Sequence, residues 1–181
     1  MNVIEINKYR PSLMRQGRYL RDDWVSYSNI GEKFDGLTFT RTEYLRVENN
    51  YVAAIRSVCE FASISSVFAH DLERWDAADQ DLTRHGLDDV LDGSPQVTEG
   101  EELTGIRLEN VIRRCLREVA WLELIVPNSF LIHLSHDLRL FVALNPDPAP
   151  IRPLINALGL FTYPSHLELR TLEIWRAGRA V

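Results

Sequence analysis

Two histidines and an aspartate in the second half of the chain have the residue types of a metal site. His133 and His136 lie three residues apart and Asp137 follows directly, and imidazole and carboxylate groups are common zinc ligands. A catalytic zinc needs three protein ligands and an open position. The pattern places His133 on a strand and His136 in a turn, so the two rings converge only if the turn folds back. A sheet histidine followed by a turn-forming Ser-His-Asp is therefore favoured over a metal-dependent hydrolase, which stays as an alternative, and no cofactor is expected.

The two cysteines offer little nucleophilic chemistry. Cys59 and Cys115 each lie in an apolar helical pattern, whereas a reactive thiol needs access to solvent and a lowered pKa. Two buried free thiols are favoured over a bridge between them, which the sequence does not exclude. No nucleophile elbow, phosphate-cradling glycine loop or dinucleotide fingerprint is present in the sequence. No motif in the sequence is therefore specific enough to name a reaction.

A basic strip runs from Lys8 to Arg21. It holds five basic residues, no acidic residue and two interleaved tyrosines, a combination that suits binding to a phosphate backbone. Asp22 and Asp23 follow at once and are alternative partners for these arginines, and a third possibility is that the strip clamps an acidic segment of the chain. A nucleic-acid-binding module is thus an alternative function. The formal charge of the 181-residue chain, −6, argues against nucleic acid as the partner.

The negative charge is concentrated in residues 71–102, which we call the acidic segment. It holds eleven acidic residues against two arginines, a net −9, so the rest of the chain sums to +3. Its glycines and Pro95 predict a loop-rich insertion with at most short helices. It is either a solvated loop that keeps the protein soluble or a docking surface for a basic partner, because a patch of one sign accelerates association. In the second case the candidate contact residues are an aromatic anchor and nine carboxylates: Trp75, Asp76, Asp79, Asp81, Asp88, Asp89, Asp92, Glu99, Glu101 and Glu102.

Periodicity predicts the elements that must position these residues. Thr40 as N-cap and Glu43 at N3 predict an amphipathic helix of about 20 residues. A second helix is predicted over 104–119, beginning at Thr104 or, through a capping box with Glu101, at Thr98. Strands are predicted over 3–6, 65–72, 121–126, 130–134, 138–144 and 160–163, with a short helix over 151–158 and a further strand over 167–175.

These elements predict one α+β domain over residues 1–181. Its antiparallel sheet has about four to six strands, with two main helices packed on one side and the acidic segment as an excursion. The first 20 residues have no apolar run typical of a secretory signal, and no apolar run approaches the roughly 20 residues of a membrane-spanning helix. We therefore expect a cytoplasmic protein with no membrane partner.

Two stretches of the chain resemble immunity proteins of bacterial polymorphic toxin systems, including those of contact-dependent growth inhibition. The first is INKYRPSLMRQGRYLRDDWVSYSNIGEKFDG followed by LTFTRTEYLRVENNYVAAI. The second is ENVIRRCLREVAWLELIV, then FLIHLSHDLRLFVAL and a short helix into GLFTYP. Together they cover about 110 residues, and the acidic segment lies between them.

The resemblance implies a cytoplasmic protein that performs no chemistry. Such a protein binds one cognate toxin C-terminal domain, usually a nuclease, and covers its active site. The resemblance carries no list of contact residues, so the contact residues above rest on the charge argument alone. Nucleases hold polyanionic substrates and are basic at the active site, so carboxylates that mimic phosphate suit this role. The sequence leaves the oligomeric state open.

Overall fold

The computed structural model describes residues 1–15, 18–74, 79–90, 96–135 and 137–164, and these residues form the predicted α+β fold. The strands, in chain order, are β1 (Asn2–Asn7), β2 (Met14–Arg15), β3 (Arg18–Tyr19), β4 (Lys33–Phe34), β5 (Leu37–Thr38), β6 (Val67–Arg74), β7 (Glu102–Leu103), β8 (Ala120–Val126), β9 (Phe130–Ser135), β10 (Arg139–Leu144) and β11 (Phe161–Pro164). The helices are α1 (Arg41–Phe61), α2 (Asp79–His85), α3 (Gly105–Leu116) and α4 (Arg152–Ala157). The predicted strand over 167–175 lies outside the described residues.

Seven strands form one antiparallel sheet in the order β11-β1-β10-β9-β8-β6-β7. The remaining strands pair as two short hairpins, β2 with β3 and β4 with β5. Strands β8, β9 and β10 form the predicted meander, because alternating apolar side chains place one face of each strand in the core. The sheet exceeds the predicted four to six strands because β7 is only two residues long and leaves almost no periodic signal in the sequence.

Helix α1 begins where its capping residues predict. The Thr40 hydroxyl oxygen accepts a hydrogen bond from the Glu43 amide at 3.2 Å, which satisfies one of the free N–H groups of the first turn. The Glu43 carboxylate itself accepts two hydrogen bonds from Arg46. The buried positions of the helix recur every three or four residues, as in Tyr44, Val47 and Tyr51, so one face packs into the core.

Helix α3 begins after Thr104, and the alternative cap at Thr98 belongs to a separate turn closed by Glu101. It ends at Leu116, three residues before the predicted end, because Glu118 adopts a positive φ of 57°. The core lies between this helix, α1 and one face of the sheet, where apolar residues of all three form one buried cluster. The opposite face carries a separate small cluster around Leu131 and Ala143.

The described parts of the acidic segment are built onto this core. Strand β6 enters the segment, α2 and a 3₁₀ turn (Asp88–Val90) follow, and β7 closes it against β6. Leu82, Leu87 and Val97 are at most 2% exposed and belong to the main buried cluster. The short helices match the prediction, and their apolar side chains anchor the segment to the domain.

In the described part of the chain, no helix has both the length and the apolar composition that crossing a membrane requires.

Candidate partner-binding surface

The ten predicted contact residues fall into three groups. Trp75, Asp76 and Asp92 lie outside the described residues. For Asp79 and Asp81 the structure describes the backbone, which lies in α2. The side chains of the other five are described: Asp88, Asp89, Glu99, Glu101 and Glu102.

Asp89 is the surface end of a buried ionic network. Arg117, whose side chain is 1% exposed, donates to the Asp89 carboxylate at 2.6 Å and to the Leu87 carbonyl oxygen at 2.6 Å. The same guanidinium donates two hydrogen bonds, of 2.6 and 2.8 Å, to the fully buried Glu48 of α1. Arg113 supplies a further hydrogen bond to Glu48 at 2.7 Å. The network therefore ties the turn after α2 to both main helices.

Glu99 also has a structural role. Its carboxylate accepts hydrogen bonds from the backbone amides of Asp71 (3.1 Å) and Leu72 (2.9 Å) and lies 3.0 Å from His70 Nδ1. The register between β6 and β8 shifts at this point, between His70 and Glu73, and Asp71 has a positive φ of 55°. Burial disfavours the ionised form of Glu99, but the two amide bonds and His70 outweigh it and lower its pKa. Glu99 thus caps amides that the bulge removes from the strand ladder.

Glu101 is the third paired carboxylate. Arg107 of α3 donates to both of its oxygens, at 2.7 and 3.0 Å, and the Thr98 amide donates at 2.9 Å. The hydrogen bonds from Arg107 are the main cause of the lowered pKa of Glu101. This carboxylate joins the end of the acidic segment to the first turn of α3.

Four other described acids of the segment make no ion pair within the part of the chain that the structure describes. Glu102 and Asp88 were among the predicted contact residues, whereas Asp71 and Glu73 were not. Glu102 lies on β7 opposite Phe68, and Asp71 and Glu73 lie on β6, so these three share one edge of the sheet. Asp71, Glu73 and Glu102 are exposed and Asp88 is half-buried. The sequence alone does not distinguish these unpaired acids from the paired ones, because the pairing partners are known only from the folded structure.

A cleft of about 320 Å³ lies beside the beginning of α1, between the loop before it and the β4–β5 hairpin. Its apolar lining comes mainly from Trp24, Phe34, Leu37 and Phe39. Its charged lining has four carboxylates and one arginine: Asp22, Asp23, Asp35, Glu43 and Arg21. The net charge along the sequence does not reveal these four carboxylates, because the positive charge of the basic strip directly before them offsets their negative charge.

The first residue of the basic strip, Lys8, is drawn into the fold. Lys8 Nζ lies 2.8 Å from Asp23 and 3.8 Å from the centre of the Trp24 ring, and its side chain is 7% exposed. Burial lowers the pKa of Lys8, and the Asp23 carboxylate opposes that shift. Arg21 lies 3.7 Å from Asp35. Lys8 thus pairs with one of the acids that follow the strip. Arg10, Arg15 and Arg21 are exposed.

His133 lies on β9 as predicted, directly between Glu123 of β8 and Phe141 of β10. Its Nδ1 is 3.4 Å from Glu123 Oε1, and its ring contacts Trp121 edge-on at 5.1 Å. His136 lies outside the described residues. Among the residues that the structure does describe, no group of three or more histidine, cysteine or acidic side chains is placed to hold a metal ion.

Both cysteines are free and buried, as the sequence favoured. Burial raises the pKa of Cys59 to about 12 and that of Cys115 to about 12. Neither thiol is therefore ionised at neutral pH, and neither has the lowered pKa of a nucleophile.

The described geometry thus consists of a carboxylate-bearing sheet edge, a buried ionic anchor and an aromatic cleft. Comparison with protein-family models, with curated proteins and with solved structures finds no match to this chain.

Proposed function

We propose that this chain is an immunity protein that binds and neutralises a cognate toxin domain in the cytoplasm. The domain is a basic nuclease, and the chain covers its active site. The observation that carries the proposal is the acidic segment, with a net charge of −9 in 32 residues. The resemblance of the flanking stretches to immunity proteins supports the same class.

The contacts within the segment add a physical reason for this choice. Asp89, Glu99 and Glu101 are held by Arg117, by backbone amides and by Arg107, so the described parts of the segment are fixed to the domain and display their free acids from it. Ordering a surface before binding reduces the entropy that association costs. A pre-ordered anionic surface is also attracted to a basic nuclease before contact, which raises the association rate by about 10- to 1000-fold.

Mutating the paired acids and mutating the unpaired acids of the segment test different properties of the protein. Paired carboxylates hold the fold, so replacing them confuses stability with binding. The informative variant replaces the three exposed, unpaired acids of the sheet edge: Asp71→Asn, Glu73→Gln and Glu102→Gln together. A matched control removes three exposed acids outside the segment: Glu60→Gln, Asp137→Asn and Asp147→Asn together.

From the proposed function we expect a neighbouring gene to encode a large secreted protein, and its C-terminal domain is the partner to test. We expect the sheet-edge variant to lower the association rate roughly tenfold at low salt and to flatten its salt dependence. The control changes the net charge by the same amount and leaves both quantities nearly unchanged. Equal effects of the two variants would move the interface elsewhere, and the absence of any complex with that domain would reject the proposed function.

A further inference from the structure

The cleft beside α1 combines exposed apolar side chains with carboxylates, and the proposed function does not involve it. Three of the six large hydrophobic residues that are exposed in the described chain lie in the loop and hairpin that form it. Leu37, which lines the cleft, is 76% exposed, and Leu20 and Val25, which adjoin lining residues, are 57% and 39% exposed. Several exposed apolar side chains in one region of the surface favour a contact surface, whereas isolated ones are ordinary.

The carboxylates of the cleft are not equally engaged. Asp23 is paired with the buried Lys8 and Glu43 with Arg46. Asp22 has no ion-pair partner in the part of the chain that the structure describes. Asp35 is 61% exposed and reaches Arg21 only at 3.7 Å, a weak contact between two solvated groups. Two carboxylates at the mouth of the cleft are therefore available to an incoming cation.

Two residues that line the cleft, Trp24 and Asp23, already bind a cation, Lys8, which is not itself part of the lining. The ammonium group of Lys8 lies 3.8 Å from the centre of the Trp24 ring and 2.8 Å from Asp23. Phe39 stacks on the same tryptophan with ring centres 4.1 Å apart. An aromatic ring and a carboxylate together attract a cation more strongly than either does alone. The lining also contains a further aromatic ring and two further carboxylates, those of Phe34, Asp22 and Asp35.

Residues next to the cleft also contact the acidic segment. Arg41, the residue after the cleft-lining Thr40, donates to the Gly86 carbonyl oxygen at 2.7 and 3.0 Å. Tyr27 contacts His85 of α2 edge-on, with ring centres 6.2 Å apart. The loop that forms the cleft and the helix of the acidic segment therefore meet at the beginning of α1, so one partner can cover both.

We propose that the cleft receives an arginine side chain of the basic protein partner, with its guanidinium on Asp22 and Asp35 and its methylene groups on Leu37 and Phe34. An arginine fits because its planar cation pairs with carboxylates while its stem packs on apolar surface. Arg21 is the internal competitor, since it already lies near Asp35. This inference rests on the proposed function for the identity of the partner, but the cleft chemistry is testable without that partner.

The first experiment uses the whole chain and a capped arginine, Nα-acetylarginine methylamide, with the uncharged citrulline analogue as control. NMR chemical shifts of the Trp24 indole N–H and the Leu37 amide are followed during titration. We expect saturable shifts with the arginine compound, with a dissociation constant of the order of millimolar, and none with the citrulline analogue. Equal shifts with both compounds, or no shift with either, would overturn the proposal.

The second experiment compares two variants that are expected to change the affinity for the arginine compound in opposite directions. Asp22→Asn with Asp35→Asn should weaken binding of the arginine compound about fivefold, because two carboxylates are lost, whereas Arg21→Gln should strengthen it about twofold. With the toxin domain the same order of affinities is expected. If the variants change the binding of neither probe in these directions, the cleft is not an arginine site. A chain that binds the arginine compound but no toxin domain would reject the proposed function and leave the cleft chemistry standing.

Discussion

The buried network around Arg117 yields the sharpest prediction about stability. The side chain of Arg117 is 1% exposed and that of Glu48 is 0% exposed, so neither charge is solvated when its partner is removed. Arg117→Met leaves the Glu48 carboxylate with Arg113 as its remaining cation and removes the donor to the Leu87 carbonyl oxygen. Breaking a buried pair from one side costs about 3–5 kcal/mol.

That loss is a large part of the total stability of a domain, which is about 5–15 kcal/mol. In a chain of this size it lowers the melting temperature by roughly 6–20 °C. Urea unfolding followed by circular dichroism measures the change in free energy directly. The m-value should stay unchanged, because the variant alters contacts and not the surface exposed on unfolding.

Two further variants test the reasoning. Glu48→Met combined with Arg117→Met removes both buried charges, and Arg113, 22% exposed, can then reach water. We expect this double variant to be more stable than Arg117→Met alone, because it also removes the buried Glu48 charge, which the single variant leaves with Arg113 as its one remaining cation. Asp89→Asn changes a side chain that is 67% exposed and should cost less than about 1 kcal/mol. A double variant no more stable than Arg117→Met, or an Asp89 variant as costly as it, would refute the buried-pair account.

Three more predictions concern the core, the thiols and pH. Leu87→Ala should cost about 2–5 kcal/mol in urea unfolding, because Leu87 is fully buried although it lies in the acidic segment; a cost near zero would mean that the segment is detached from the core. Cys59 and Cys115 should not react with a thiol reagent at pH 8 in the folded protein and should both react in denaturant; rapid labelling of the native chain would contradict their burial. Because the pKa of Glu99 is lowered by folding, its stabilising effect is present above its unfolded pKa of 4.5 and is lost as the pH falls through the lower folded value. The unfolding free energy of Glu99→Gln should therefore fall less steeply than that of the unmodified chain between about pH 5 and pH 3, and identical slopes would remove Glu99 as a contributor.

Local patterns in the sequence predicted most of the fold. The capping residue Thr40 and the three-to-four spacing of apolar residues place α1, and alternation places β8, β9 and β10. These elements can be predicted because each buries one face, so its apolar residues recur at a regular spacing along the sequence. A strand as short as the two-residue β7 has no such spacing, and it is identified only by its hydrogen bonding to β6 in the folded structure.

The candidate binding surface was likewise only partly predictable from the sequence. The sequence by itself determined that the negative charge is concentrated in residues 71–102, because charge depends only on residue type. Only the tertiary structure decided which of those acids are free, since Asp89 is paired by Arg117, 28 positions further along the chain, and Glu99 by amides 27 and 28 positions before it. Likewise, the sequence does not distinguish Lys8 from the arginines of the basic strip, but folding buries Lys8 against Asp23 and Trp24 and leaves Arg10, Arg15 and Arg21 exposed. A charge is a property of one residue, but its availability to a partner depends on neighbours that only folding brings within a few ångströms.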